Sequence, residues 1–269
     1  MISVTRRRVV ALAGAGAAVG ALAAAADVVS AATVVPKGDP VKTVAFDALA
    51  IFDSGPVFAL ADRFFAAKAS ALCNEWRARQ FEYAWLRALS GSYVDFWHVT
   101  QDALNFASKR LNVSVTPTQR DALMAAYLGL KAWPEVPAAL TRLRKSGYRL
   151  ALLSNFTPRM LNACIESAGV VGSFDEVLCT DQATTYKPDR KAYQLGTDGL
   201  KLPKEQIHFV AHAGWDAAGA KAFGYPTFWA NRLRLPAEEL GNVPDASGSS
   251  LSDLVAFLGI SPATAPNVK

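Results

Sequence analysis

Two carboxylates, Asp47 and Asp216, an ammonium, Lys187, and the hydroxyl–amide pair Ser154-Asn155 are the side chains of this sequence that together could carry a reaction. An aspartate has an unperturbed pKa of about 3.9 and is ionised at neutral pH. Such a carboxylate can attack an electrophilic carbon and form a covalent ester. A lysine beside it keeps it ionised and attracts an anionic substrate. A second carboxylate can orient the lysine or help activate water. Taken singly, each residue has a plainer reading: Asp216 as a helix cap, Ser154-Asn155 as turn residues, Lys187 as a solvated cation. Their joint placement is what points to chemistry.

That placement follows from the elements. Val41 to Phe46 is a short β-branched run ending in Asp47, which reads as a buried strand. Tyr148-Arg149-Leu150-Ala151-Leu152-Leu153 is a strand ending at Ser154-Asn155. Val177 to Cys179, Ile207 to Val210 and Thr227 to Ala230 read as further strands. Helices alternate with them: Val136 to Lys145, closed by Gly147; one opened by Pro158 with Thr157 as cap; one around Tyr193 after Lys187-Pro188-Asp189; one opened by Asp216 and stopped at Gly224; and a last one over 249–258. Strands alternating with helices predict an α/β fold with a parallel sheet covered on both faces. In such a sheet the ligand crevice lies beyond the carboxyl ends of the strands, where Asp47, Ser154, Asn155, Lys187 and Asp216 would converge. From Val57 to about Lys131 the pattern is helical, and it reads as an inserted cap. The expected division is a core domain over 41–58 and 134–258, a helical cap over 59–133 and a tail over 259–269.

With 51% hydrophobic and 19% charged residues, the chain can bury one sizeable core with a smaller companion. The net charge of +5 is modest and partly N-terminal, and no basic stripe argues for nucleic acid. Cys73, Cys164 and Cys179 form neither a zinc pattern nor a disulfide framework, and buried free thiols are the favoured reading over a single disulfide. Thr5-Arg6-Arg7-Arg8-Val9-Val10 followed by an Ala/Gly-rich apolar run has the architecture of a secretory signal peptide and is similar to the twin-arginine export motif. The run is too rich in Ala and Gly to insert strongly as a membrane anchor, the competing reading. Residues 1–32 are therefore expected to be cleaved, before Thr33, and the mature protein to be periplasmic or secreted, with no membrane attachment.

Phe46-Asp47-Ala48, Leu153-Ser154-Asn155, Tyr186-Lys187-Pro188-Asp189 and Trp215-Asp216-Ala217-Ala218-Gly219-Ala220 are similar, in order, to the four motifs of the haloacid-dehalogenase superfamily. The stretch Trp76 to Arg87 resembles the cap segment of the type II L-2-haloacid dehalogenases, and the likeness runs from about residue 41 to 258. The resemblance implies a Rossmann-like haloacid-dehalogenase fold with an inserted helical cap domain. It implies hydrolysis of a short L-2-haloalkanoic acid to the D-2-hydroxy acid, with no cofactor or metal and with a homodimeric assembly. By that resemblance Asp47 attacks the halogen-bearing carbon, and Arg77, helped by Asn155, receives the halide. Ser154 and Lys187 bind the substrate carboxylate or hold Asp47, Tyr193 matches a tyrosine of the family's site, and Asp216 assists hydrolysis of the ester. Phe81, Phe96 and Trp215, with Leu49, wall the pocket.

The sequence also departs from that pattern. Where the family's nucleophile loop reads Asp-x-Tyr-Gly-Thr, this chain has Asp47-Ala48-Leu49-Ala50-Ile51, one residue short before Asp53. Where the last motif carries serine and asparagine before Trp-Asp, this chain has Ala211 and Ala213 flanking His212. Losing a preorganised donor commonly costs about 10²–10³ in rate. His212 reads first as an ordinary packed histidine and second as a replacement proton acceptor. Two other functions stay open. A superfamily phosphatase would need a second acid where Leu49 stands, to protonate a leaving alkoxide; a halide needs no proton. A binding protein that kept the fold would account for Ile51, Ala211 and Ala213.

Overall fold

A computed structural model of the chain describes residues 42–260. The signal peptide expected over 1–32 and most of the expected tail lie outside the described residues.

Six strands form one parallel sheet: β1 (Thr43–Phe46), β4 (Arg149–Ser154), β5 (Glu176–Cys179), β6 (His208–Ala211), β7 (Thr227–Ala230) and β8 (Ala246–Gly248), in the order β5-β4-β1-β6-β7-β8. β1 is central, with Phe46 in register with Leu152 of β4 and Val210 of β6. Side chains alternate between the faces of a strand, and here both faces are apolar. Val44, Phe46, Leu150, Leu152, Val210 and Phe228 enter one core. Ala45, Ala151, Leu153, Phe209, Ala211 and Trp229 enter the other. Helices α6 (Val136–Lys145), α7 (Pro158–Ser167) and α10 (Leu251–Phe257) cover the first face, and α8 (Arg190–Leu200) and α9 (Gly214–Phe223) the second. All three cysteines are buried free thiols.

Between β1 and β4 the chain leaves the sheet. A single turn, α1 (Ala48–Ile51), follows Asp47, and β2 (Phe52–Asp53) then pairs antiparallel with β3 (Lys131–Ala132). This two-residue ribbon carries the chain out to four helices and back: α2 (Gly55–Phe65), α3 (Ala69–Ser90), α4 (Phe96–Arg110) and α5 (Pro117–Ala126). Local chemistry sets their ends. Asp95 accepts the His98 N–H at the start of α4, Thr116 and Gln119 form a capping box on α5, and Gly91 takes φ +67° to end α3. Trp76 of α3 is fully buried, donates its indole N–H to the Thr100 carbonyl at 2.8 Å and meets the Tyr127 ring edge-on. No helix among the described residues is long and apolar enough to cross a membrane.

Two elements differ from expectation. α9 opens at Gly214, not at Asp216; Ala213 is its N-cap and offers no side-chain bond, which puts Asp216 inside the first turn with its carboxylate directed elsewhere. β8 has no β-branched residue to announce it and forms by pairing with β7 at the sheet edge.

Candidate active site

Asp47 stands where β1 ends. Its N–H donates to the Val210 carbonyl of β6 at 2.9 Å, and its Oδ2 accepts the Leu49 N–H at 3.1 Å, so the aspartate caps α1. Its Oδ1 accepts from Lys187 Nζ at 2.9 Å. The same ammonium donates to Asp216 Oδ2 at 2.7 Å, and the Tyr193 hydroxyl donates to Asp216 Oδ1 at 2.8 Å. α9 brings Asp216 in, and Gly219 on that helix makes room for Tyr193: a Cβ at 219 would lie 2.5 Å from the phenol oxygen.

The electrostatics of this group are those of one buried cation between two anions. Burial opposes the charge of Lys187, but Asp216 and Asp47 outweigh it and hold the ammonium protonated above its ordinary range. Burial pushes the Asp216 carboxyl up to about 6, with Lys187 pulling it down and Asp47 adding to the rise. Tyr193 is held well above its usual pKa by burial and by Asp216, so it remains a donor. Lys187 is 1% exposed while the Asp47 side chain keeps 14%, so the accessible group of the pair is Asp47 and the lysine stands behind it. Of the two roles the resemblance left open for Lys187, the geometry fits holding Asp47.

In front of Asp47 is a cavity of about 320 Å³ between the sheet edge and the helical insertion. Leu49, Phe81, Phe96, Trp215, Arg77, Ser154, Asn155 and Asp216 all border it, together with His212. Lys187 and Tyr193 do not; they form the layer beneath. Arg77 comes from α3, with its guanidinium 5.5 Å from the centre of the Phe58 ring. Among the described residues it has no carboxylate within 4 Å, so its charge is left for the cavity. Ser154 ends β4, and its hydroxyl accepts the Phe156 N–H at 3.2 Å. Asn155 accepts the Lys187 N–H at 3.0 Å and the Thr180 hydroxyl at 3.4 Å through Oδ1. Phe81 packs edge-on to Trp215 at 5.2 Å, and Phe96 stacks on Phe156 at 5.7 Å.

Three contacting residues escaped the reading of the sequence. Trp85 of α3 packs on Trp215 and donates its indole N–H to the Lys187 carbonyl at 3.2 Å, tying the insertion to the lysine loop. Trp133 and Arg232 hold the turn after Asp47 by its main chain. The Trp133 indole N–H donates to the Leu49 carbonyl at 3.1 Å, and its own N–H to the Ile51 carbonyl. Arg232 donates to the Ala50 carbonyl at 2.9 Å and to Glu135 at 2.7 Å, with its guanidinium 4.4 Å from the centre of the Trp133 ring. Ile51 itself is fully buried apolar packing. The turn that lacks the family's glycine and threonine is therefore clamped from outside. The short Asn231-Arg232 pair after a strand was the available signal, but nothing local ties it to residue 50.

A parallel α/β sheet with a lysine-held aspartate at its carboxyl edge, under an inserted helical cap, defines a class of hydrolase. The chain matches the family model of the haloacid dehalogenase-like hydrolases over residues 23–224. An (S)-2-haloacid dehalogenase of Pseudomonas sp. (strain YL) is 38% identical to it over 218 residues, covering 81% of this chain and 94% of the relative. A crystal structure of an L-2-haloacid dehalogenase superposes with a TM-score of 0.80 at 41% identity, covering 81% of this chain and 99% of that one. The L-2-haloacid dehalogenase of Xanthobacter autotrophicus with chloropropionic acid covalently bound does so at 0.75 and 30%, covering 81% and 98%. The chain belongs to the haloacid dehalogenase-like hydrolases, and within them to the L-2-haloacid dehalogenase family.

Proposed function

We propose that this protein hydrolyses short L-2-haloalkanoic acids to D-2-hydroxy acids and halide through an ester on Asp47. The observation that carries the reading is that one cavity is bordered by two opposite charges: Asp47, held from behind by Lys187, and Arg77 on the cap helix, which has no carboxylate partner among the described residues. In the first step an Asp47 oxygen attacks the halogen-bearing carbon from the side opposite the halogen. The carbon–oxygen bond forms as the carbon–halogen bond breaks, and the configuration inverts. The leaving halide takes the bonding pair and needs no proton, which suits the apolar Leu49 beside Asp47. Arg77 and the Asn155 amide receive its charge, and Phe81, Phe96 and Trp215 enclose the alkyl group. Water then cleaves the ester and restores Asp47. The family membership supports this reading over a phosphatase.

L-2-Chloropropionate is the direct probe. The expected result is one chloride and one D-lactate per substrate consumed, with the D enantiomer of the substrate untouched. No chloride from any of a range of L-2-haloacids would sink the proposal.

The clamp on the turn gives a second expected outcome. Arg232→Met keeps the apolar stem and removes the fork that holds the Ala50 carbonyl, and Arg232→Lys restores charge without the fork. Both variants are expected to lose about 10²-fold in kcat, the cost of displacing a reacting group by about 1 Å, with a much smaller change in KM. A wild-type kcat in either would show that the turn holds itself.

Two further expectations from the sequence remain proposals. The basic, Ala/Gly-rich N-terminal segment supports twin-arginine export to the periplasm or beyond. Leu86 and Leu89 on α3, 53% and 86% exposed, support a homodimer. Cell fractionation and sedimentation in solution test them.

A further inference from the structure

We infer that Trp85 is a positioning residue for the first half-reaction: it fixes how the cap helix α3 is turned toward the core, and so where Arg77 meets the departing halide. The inference rests on the dehalogenase reading above.

Arg77, Phe81 and Trp85 follow one another at intervals of four residues along α3, so they share one face of the helix. That face covers about 12 Å along the axis. Arg77 and Phe81 border the cavity, and Trp85 does not. Trp85 touches the core instead. Its indole N–H donates to the Lys187 carbonyl at 3.2 Å. Its ring meets Trp215 edge-on at 5.4 Å and stacks on Phe81 at 6.2 Å, while Phe81 meets Trp215 at 5.2 Å. Three rings therefore close on one another. Lys187 is the ammonium behind Asp47, and Trp215 immediately precedes Asp216. One side chain of the cap thus grips both core segments that carry the buried charges of the site.

The Lys187 segment is a firm seat for that grip. Its main-chain N–H donates to Asn155 Oδ1 at 3.0 Å, and its ammonium is held by Asp47 and Asp216. Its carbonyl is a fixed point against which α3 can be registered. Two other side-chain bonds join the cap to the core: the Tyr93 hydroxyl donates to Asp181, and the Tyr186 hydroxyl to the Val94 carbonyl. Both lie past the end of α3 at Ser90, in the loop that follows it. Trp85 acts on the Arg77 face itself. Arg77 has no carboxylate within 4 Å among the described residues, so the helix that carries it sets where its guanidinium falls.

That placement matters in one step. As the carbon–halogen bond breaks, the halide takes the bonding pair, and its charge grows where a preorganised cation must already stand. Chloride, the poorer leaving group, draws on that cation more than bromide does. A displaced Arg77 therefore slows the two unequally, whereas a general loss of structure slows them alike.

The test is a single-turnover experiment on the full chain, with enzyme in excess over L-2-chloropropionate or L-2-bromopropionate, comparing wild type, Trp85→Phe and Arg77→Lys. Halide release reports the first half-reaction alone, because the ester is hydrolysed after it. Trp85→Phe keeps a ring against Trp215 and removes the N–H. It is expected to release chloride about 10²-fold more slowly than wild type, the scale of misplacing a group by about 1 Å, and to raise the ratio of bromide to chloride rates about tenfold. Arg77→Lys should raise the same ratio. Both rates are read on one preparation of each enzyme, so molecules that fail to fold cancel from the ratio. A ratio unchanged from wild type in Trp85→Phe would overturn the inference even where both rates fall. No rise in Arg77→Lys would remove Arg77 from the halide and overturn it as well. If wild type releases neither halide, the dehalogenase reading itself fails first, and the inference with it.

Discussion

Asp47→Asn is expected to abolish chloride release from L-2-chloropropionate, by at least about 10⁴-fold in kcat, the scale of losing a nucleophile that works as part of a unit. The substitution also removes the Oδ1 that accepts from Lys187 at 2.9 Å, and leaves Asp216 as the carboxylate partner of that ammonium. Asparagine has nearly the same volume, and its carbonyl oxygen can still accept the Leu49 N–H that Asp47 accepts at 3.1 Å. Its neutral amide is a far weaker nucleophile than a carboxylate, and it forms no stable ester with the substrate. Electrostatically two effects oppose each other: Lys187 loses one of its two anions, and Asp216 loses a repulsive neighbour. The charge of Asp47 is one of the causes that raise the Asp216 carboxyl to about 6. With that charge gone, Asp216 falls back toward the ordinary range and keeps Lys187 as its own counter-ion. The variant should therefore fold with a stability within about 1 kcal/mol of wild type, and circular dichroism with urea unfolding checks this. Activity retained above about 1% of wild type would remove Asp47 from the chemistry.

Lys187→Met carries the second large effect, and this one falls on both stability and turnover. The ammonium is 1% exposed and bridges two carboxylates at 2.9 and 2.7 Å. Methionine fills the space but leaves Asp216 buried and without its cation. Removing one partner of a buried pair costs about 3–5 kcal/mol. The sign with pH follows. Without Lys187, burial and Asp47 raise Asp216 unopposed by the ammonium, so its folded-state pKa stands above the unfolded one. A carboxyl raised in this way stabilises the fold below its unfolded pKa and loses that contribution as pH rises through the folded value. The variant should consequently be weaker at pH 8 than at pH 5, where protonation relieves the strain. In wild type Asp216, raised to about 6 with Lys187 opposing the rise, carries the same sign to a smaller extent, and the raised lysine contributes below 10.5 and loses that contribution as pH rises above it. Urea unfolding of both proteins at pH 5 and pH 8 makes the comparison. A loss below 1 kcal/mol at both values would mean the pair contributes little.

These effects rest on residues that differ in how visible they were beforehand. Asp47, Ser154 and Asn155 were legible because each ends a strand whose apolar run is unmistakable, and in a parallel sheet such residues must meet at one edge. The helix over Val136–Lys145 was legible to the residue, and so was the Thr157 cap before Pro158. Asp216 was read at the edge with a catalytic role, and as a helix cap in its plainer reading; the helix it was expected to open begins two residues earlier on Gly214, behind Ala213 and with no side-chain cap. The ribbon of β2 and β3 has two residues per strand, too few for any alternation to register. The clamp of Trp133 and Arg232 on the turn after Asp47 was invisible for a different reason. Its bonds cross 84 and 182 residues of sequence, and only tertiary packing brings them together. The loss of the family's polar residues at 51, 211 and 213 thus read as damage, while the groups that support the same turn from elsewhere left no local trace.

A single turnover in heavy-oxygen water tests the covalent role of Asp47 most directly. With enzyme in excess over L-2-chloropropionate and the solvent enriched in oxygen-18, the ester is opened by a labelled water at Cγ. The expected result is the heavy atom in the Asp47 carboxylate, located by mass spectrometry of its peptide, and unlabelled D-lactate. Label in the lactate and none in Asp47 would mean that water displaces the halide directly, and would contradict the ester on Asp47.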